Sequence, residues 1–103
     1  MRVFTIGTKQ DDYYPLNIEG ELHELQGLVG GYIEPVHLPE FSQYGIILLA
    51  NEEGLLKGLA PNENLFPYFF VGPMVALSSK DDEFVGLSES QEDFIKRWLI
   101  ANA

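Results

Sequence analysis

Residues 44–50 read Tyr-Gly-Ile-Ile-Leu-Leu-Ala. No polar side chain interrupts Ile46, Ile47, Leu48 and Leu49. Successive side chains of a strand point to opposite faces, so a strand of this composition is apolar on both. It belongs in the middle of a sheet, covered on each side. The run from Ile46 to Ala50 is also the longest apolar run in the chain. It falls far short of the ~18 residues that a membrane span requires.

Working back from this strand, residues 21–29 carry Leu22, Leu25, Leu28 and Val29 at helical spacing. Glu21 and Glu24 fall in the first turn, where the positive end of the helix dipole favours acids. Gly30-Gly31 ends this helix, because glycine takes the left-handed C-cap conformation readily. Residues 32–38 then read as a strand. Pro35 has no amide to give a ladder, so this strand is an edge or carries a bulge. Residues 39–43 read as a loop. Nearer the N-terminus, residues 2–7 read as a first strand, 9–15 as a loop and 16–19 as a short second strand.

Working forward, Asn51-Glu52-Glu53-Gly54 has the composition of a tight turn. Residues 55–59 read as a hairpin arm returning from it, and 60–67 as irregular. Residues 68–78 read as a strand bent at Gly72-Pro73. A charged turn at 79–82 leads to a last strand at 83–86. The chain closes on a helix over 89–100, where Ser88 and Gln91 form a capping box. Phe94, Ile95, Trp98 and Leu99 make one apolar stripe on it, suited to lie on a sheet. Strands and helices do not alternate regularly enough for a doubly wound fold. The expectation is one α+β domain over residues 1–103. Its sheet is mainly antiparallel or mixed, of about five to six strands, with two helices at about 21–29 and 89–100 packed on it.

A chain of 103 residues fits one domain with one modest core. It has no cysteine, which excludes disulfides, thiolate zinc sites and a cysteine nucleophile. Sixteen acids face six bases, a net charge of −10. That sign disfavours direct binding to nucleic acid or anionic lipid. Mimicry of DNA is the sharper reading of the charge. Duplex as long as such a domain is wide, ~33 Å, carries on the order of 20 charges. The protein has about half that, dispersed in small groups such as Asp11-Asp12, Glu52-Glu53 and Asp81-Asp82-Glu83. Solubility is the simpler reading. The start of the chain lacks a signal-peptide core and a small-residue cleavage site. A soluble cytoplasmic protein is expected, with no membrane association.

Chemistry-bearing patterns are sparse. Gly30-Gly31 follows a helix instead of opening one, the reverse of a phosphate-cradling loop. His23 and His37 are the only histidines and have no metal-ligand spacing, so neither a metal site nor a cofactor is expected. The serines sit in no nucleophile-elbow context, and Ser88 is committed to its cap. No catalytic residue is assigned. The segment 51–62 gathers amides, carboxylates, a lysine and glycines within a dozen residues. Its Asn51, Glu52, Glu53, Lys57 and Asn62 are the candidates for binding a ligand or partner. The competing reading is a solvated turn with a surface Glu53–Lys57 pair, worth little energetically.

The segments Leu28-Val29-Gly30-Gly31-Tyr32-Ile33-Glu34 and Asn51-Glu52-Glu53-Gly54, continuing to Lys57-Gly58-Leu59 and Pro61-Asn62, resemble a small domain family of unknown function. That family is found in bacteriophages, plasmids and other mobile elements of bacteria. The resemblance runs from Leu22 to Asn62 and resumes at residues 69–72 and 84–88. It implies no established activity and no catalytic residue. It does imply an accessory protein acting in the cytoplasm of a bacterial host by binding a host component. Together with the charge, the expectation is a non-enzymatic acidic binding protein that modulates a host macromolecule. The partner would be a host protein with a basic surface, of the defence or nucleic-acid-processing kind. The alternative is a binding or sequestering protein for a nucleotide signal, with Lys57 facing phosphate. The edge strand at 32–38 leaves a homodimer open, since edges invite pairing between chains.

Overall fold

The apolar run becomes a strand in which every residue is buried, from Ile46 to Asn51. In the computed structural model, which describes residues 1–103, it is the fourth of six strands. In chain order the elements are β1 (Arg2–Ile6), β2 (Tyr13–Asn17), α1 (Leu22–Val29), β3 (Ile33–Val36), α2 (Pro39–Ser42), β4 (Ile46–Asn51), β5 (Met74–Lys80), β6 (Glu83–Val85) and α3 (Glu89–Ala101). A single 3₁₀ turn spans Glu63–Leu65. The fold is α+β.

All six strands form one sheet in the order β2-β1-β5-β4-β3, and every paired neighbour is antiparallel. Ser78 of β5 pairs with Ile46 across β4 and with Val85 across β6. β6 therefore lies on the β1 side of β5, beyond the end of β1. The β5–β6 turn is tight because Asp81 and Asp82 both take positive φ, the conformation of a two-residue hairpin loop.

Alternation along the inner strands builds two cores. Ile46 and Leu48 of β4, Met74 and Ala76 of β5, and Phe4 and Ile6 of β1 face α2 and α3, meeting Phe41, Ile95 and Leu99. Ile47, Leu49, Val75, Leu77 and Val3 face the other way, against Leu25 and Val29 of α1. Fully burying one such side chain stabilises by about 1.5–3 kcal/mol, so both faces of β4 contribute. Phe41 is the hinge of the first core. Its ring meets Trp98 edge-on at 5.1 Å and Phe94 at 5.8 Å.

The helix ends are satisfied locally. The Glu24 carboxylate accepts the amides of Glu21 and Gly20, each at 2.9 Å, and that of Glu19 at 3.2 Å. These bonds, the Glu21 amide foremost, outweigh desolvation and hold the Glu24 carboxyl below its usual pKa. α1 stops at Gly30, whose φ of 81° is left-handed. In α3 the Ser88 hydroxyl accepts the Gln91 amide at 3.2 Å, and the Gln91 side-chain oxygen accepts the Ser88 amide at 2.8 Å. The Gln91 Nε2 then donates to the Tyr44 carbonyl at 2.8 Å and to the Ser78 hydroxyl of β5 at 3.0 Å, tying the helix start to the sheet.

Four local expectations are corrected. Residues 39–43 contain the short helix α2, because Pro39 sits at its start and Phe41 is drawn into the core. The second strand begins earlier, at Tyr13, as hairpin partner of β1 with Ile6 opposite Tyr13. Residues 55–59 are not a hairpin arm but part of a run of turns. The strand expected over 68–78 enters the sheet only at Met74. Gly72, with φ 80°, redirects the chain, and Val71 makes only an isolated bridge to Pro61.

β3 is an edge, and so is β2. The Glu52 amide bonds the Tyr32 carbonyl at 2.8 Å, which makes 32↔52 a hydrogen-bonded pair. Ladder groups of an antiparallel strand alternate in direction, so the backbone groups of Ile33 and Pro35 point to the open side. On the opposite edge, Gly7 bonds the Asp12 carbonyl at 2.7 Å, and the same alternation turns Pro15 outward. Each outer strand thus places a proline where an amide would otherwise face solvent. Neither proline removes a bond from the sheet, and both blunt an edge against further pairing.

Candidate functional site

The turn after β4 is organised by Asn51, which is 5% exposed. Its Nδ2 donates to the Val29 carbonyl at the end of α1, at 3.2 Å. Its Oδ1 accepts the Glu53 amide at 2.8 Å and so starts the turn. Gly31 makes this approach feasible. A Cβ at Gly31 would lie 2.9 Å from Asn51 Nδ2 and 3.1 Å from Lys57 Nζ. The Lys57 ammonium therefore rests beside the C-terminal end of α1, where partial negative charge on the last carbonyls attracts it. The glycine pair and the acidic turn are two sides of one structural contact.

The remaining candidates are placed separately. Glu52 continues the β3–β4 pairing through its amide and exposes its side chain. Glu53 is exposed and forms no ion pair with Lys57. The three ion pairs of the chain are Arg2–Glu92, Lys96–Glu92 and Arg97–Asp93. The turn closes instead through the Lys57 amide to the Glu53 carbonyl at 2.9 Å. Asn62 is fully buried. Its Nδ2 donates to the carbonyls of Ile6 at 3.1 Å and Gly72 at 3.0 Å, and its Oδ1 accepts the Asn64 amide at 3.1 Å.

Asn64 is a residue that sequence reasoning missed. Its Nδ2 donates to the carbonyls of Gly7 at 2.8 Å and Lys9 at 2.7 Å, while its Oδ1 accepts the Asp11 amide at 2.9 Å. Asn62 and Asn64 together lash the long β4–β5 connection to the end of β1. The Asn-Glu-Asn spacing was the available signal. A long connection with only one 3₁₀ turn needs side chains to satisfy the rest of its backbone.

Beside this brace, and on the α3 side of the sheet, lies a cleft of about 440 Å³. Val36 and Ala50 come from β3 and β4, and Phe70 and Val71 from the connection opposite. Glu34 and Glu52 add carboxylates to its lining, and Leu55, Leu56 and Phe69 stand along it. Those last three are 74%, 87% and 66% exposed. Glu34 and Glu52 are exposed as well. No lysine or arginine lines the cleft. Of the five candidates read from the sequence, Asn51 and Glu52 border it. Asn51 does so with its side-chain amide already committed to backbone.

The wall at residues 69–71 is anchored through the preceding Tyr68. Tyr68 donates its hydroxyl to Glu40 of α2 at 2.5 Å. That bond, reinforced by desolvation and by the charge of Glu40, raises the pKa of the phenol. His23 and His37 are both exposed, and no group of three or more His, Cys, Asp or Glu side chains is placed to hold a metal ion.

The contact of Asn51 with the end of α1 lies within a longer match. Residues 1–99 fit the family model described as Domain of unknown function (DUF3846). The chain belongs to the DUF3846 family. No curated protein matches it, and no solved structure does. The DUF3846 match runs through all six strands and nearly all of α3, so sheet, brace and cleft fall inside it together.

Proposed function

We propose that this protein is a non-enzymatic binding protein of a bacteriophage or other mobile element, which modulates a macromolecule of its bacterial host. The observation that carries the reading is the exposed apolar row Leu55, Leu56 and Phe69 beside an open cleft. Contiguous exposed apolar surface rimmed by polar groups marks interaction sites. A net charge of −10 and the carboxylates of Glu34 and Glu52 favour a host protein with a basic surface. A defence or nucleic-acid-processing protein has that character. Complementary charge would speed encounter and make it sensitive to salt. The mobile-element setting and the cytoplasm of the host rest on the family resemblance. No helix of the protein is long and apolar enough to cross a membrane.

Sequestration of a nucleotide signal is the less supported reading. It needs cations at the site, and the one lysine nearby lies against Gly31 at the end of α1. Capture from bacterial lysate on the immobilised protein, at low and then moderate salt, tests the proposal. One protein retained stoichiometrically at low salt and released by moderate salt is the expected result. Absence of any stoichiometric protein, with a thermal shift on adding nucleotides, would replace it with the nucleotide reading.

A further inference from the structure

We infer that the cleft beside β3 takes a short protein segment whose apolar side chains are flanked by lysine or arginine, laid across the sheet face and not along its edge. The inference rests on the binding reading above and names the chemistry of the partner.

The apolar part follows from the lining. Val36, Ala50, Phe70 and Val71 offer no charged group to a ligand, and Leu56 stands almost wholly in solvent beside them. A volume of about 440 Å³ lies within the ~300–1,000 Å³ range of sites that enclose compact ligands. The basic part follows from Glu34 and Glu52. Both carboxylates are exposed, and neither belongs to any of the three ion pairs of the chain. They are therefore open to cations supplied by a partner.

Two competing occupants fit less well. In a two-fold interface the same patch meets itself, so a second copy would bring Glu34 and Glu52 against like charges. It would also bring together two chains of net charge −10. A strand added along β3 would find no donor at Pro35, whose position faces the open side. The face of the sheet carries the accessible apolar surface, and its edge is the blunted part.

A displayed library of random dodecapeptides, selected on the full chain, tests the inference. The selected peptides should be enriched in apolar residues flanked by Lys or Arg. As synthetic peptides they should bind at least about tenfold more weakly to Leu56→Asp, the loss of one strong contact. Glu34→Lys with Glu52→Lys should weaken binding several-fold and reduce its salt dependence. These side chains are exposed, so the melting temperatures should stay at the parent value. Leu22→Asp on α1, a control at a 57% exposed leucine, should bind like the parent.

Four results would overturn the inference. No peptide is enriched. The enriched peptides lack basic residues. Leu56→Asp and the charge reversals leave affinity unchanged. Sedimentation shows the parent chain self-associating and Leu56→Asp monomeric, which makes a second copy the occupant. The two readings can fail separately. A lysate partner that survives Leu56→Asp and the charge reversals keeps the binding function and removes the cleft as its site. Basic-apolar peptides that need Leu56, with no lysate partner, keep the cleft and remove the host target.

Discussion

The side-chain amide of Asn51, at the end of β4, donates to the carbonyl of Val29, at the end of α1. One residue thereby closes a helix, starts a turn through Glu53 and joins the glycine pair to the acidic segment. The recurrent polar groups of residues 51–62 are in good part internal ligands of the backbone.

Asn51→Ala leaves the Val29 carbonyl without its donor inside the protein and releases the Glu53 amide. The expected loss is about 1–3 kcal/mol. At about 4–8 °C per kcal/mol for a domain of this size, the fall in melting temperature is easily measured. Glu52→Ala, at an exposed side chain, should stay within about 0.5 kcal/mol of the parent. Thermal and urea denaturation of the two variants separates the brace from the surface. Equal losses would contradict the assignment.

Asn62 serves three backbone groups from a fully buried position, so Asn62→Ala should destabilise by about 2–4 kcal/mol. Asn62→Asp should be worse at neutral pH, because a carboxylate would face the Ile6 and Gly72 carbonyls with no hydrogen to offer. Urea midpoints at pH 7 give the order, parent above Ala above Asp.

Glu24 supplies a pH-dependent contribution to the start of α1. Its pKa is lowered on folding, chiefly by the Glu21 amide. A lowered pKa means that the folded state favours the ionised form. The stabilisation is present above the ordinary glutamate value of about 4.3 and is lost as pH falls through the folded value. Glu24→Gln should therefore be less stable than the parent at pH 7, and the gap should close on acidification below about pH 4. Melting temperatures of both proteins across that range read the effect directly. A gap that does not change with pH would assign it to packing instead.

Pro35→Thr restores an amide on the open side of β3 and adds a β-branched residue suited to pairing. Concentration-dependent self-association beyond that of the parent chain should appear in sedimentation velocity under the same conditions. The loss in monomer stability should be no more than about 1 kcal/mol, since no bond within the sheet changes. If the variant sediments as the parent does at every concentration, the blunting role of Pro35 is wrong.

Much of the secondary structure was legible because its causes lie within a few residues. Ile46 to Leu49 declare a strand buried on both faces, Gly30 a left-handed helix end, and Ser88 with Gln91 a helix start. The short helix at Pro39–Ser42 was not legible, because it depends on Phe41 finding Trp98 and Phe94 across the core. The apolar pair Leu55-Leu56 was read as a strand arm, because a sequence pattern does not reveal that no strand lies beside it.

The sequence by itself determined the α+β class, the position of β4 inside the sheet and the ends of both longer helices. Period-two and helical spacing, caps and glycine φ preferences act between near neighbours in the chain. Only the tertiary structure decided the strand order, the outward aim of Pro15 and Pro35, the bracing by Asn51, Asn62 and Asn64, and the cleft. The physical reason is separation along the chain. Asn51 reaches a carbonyl 22 residues away and Asn62 one 56 residues away, so the fold selects each amide's partner from a distance.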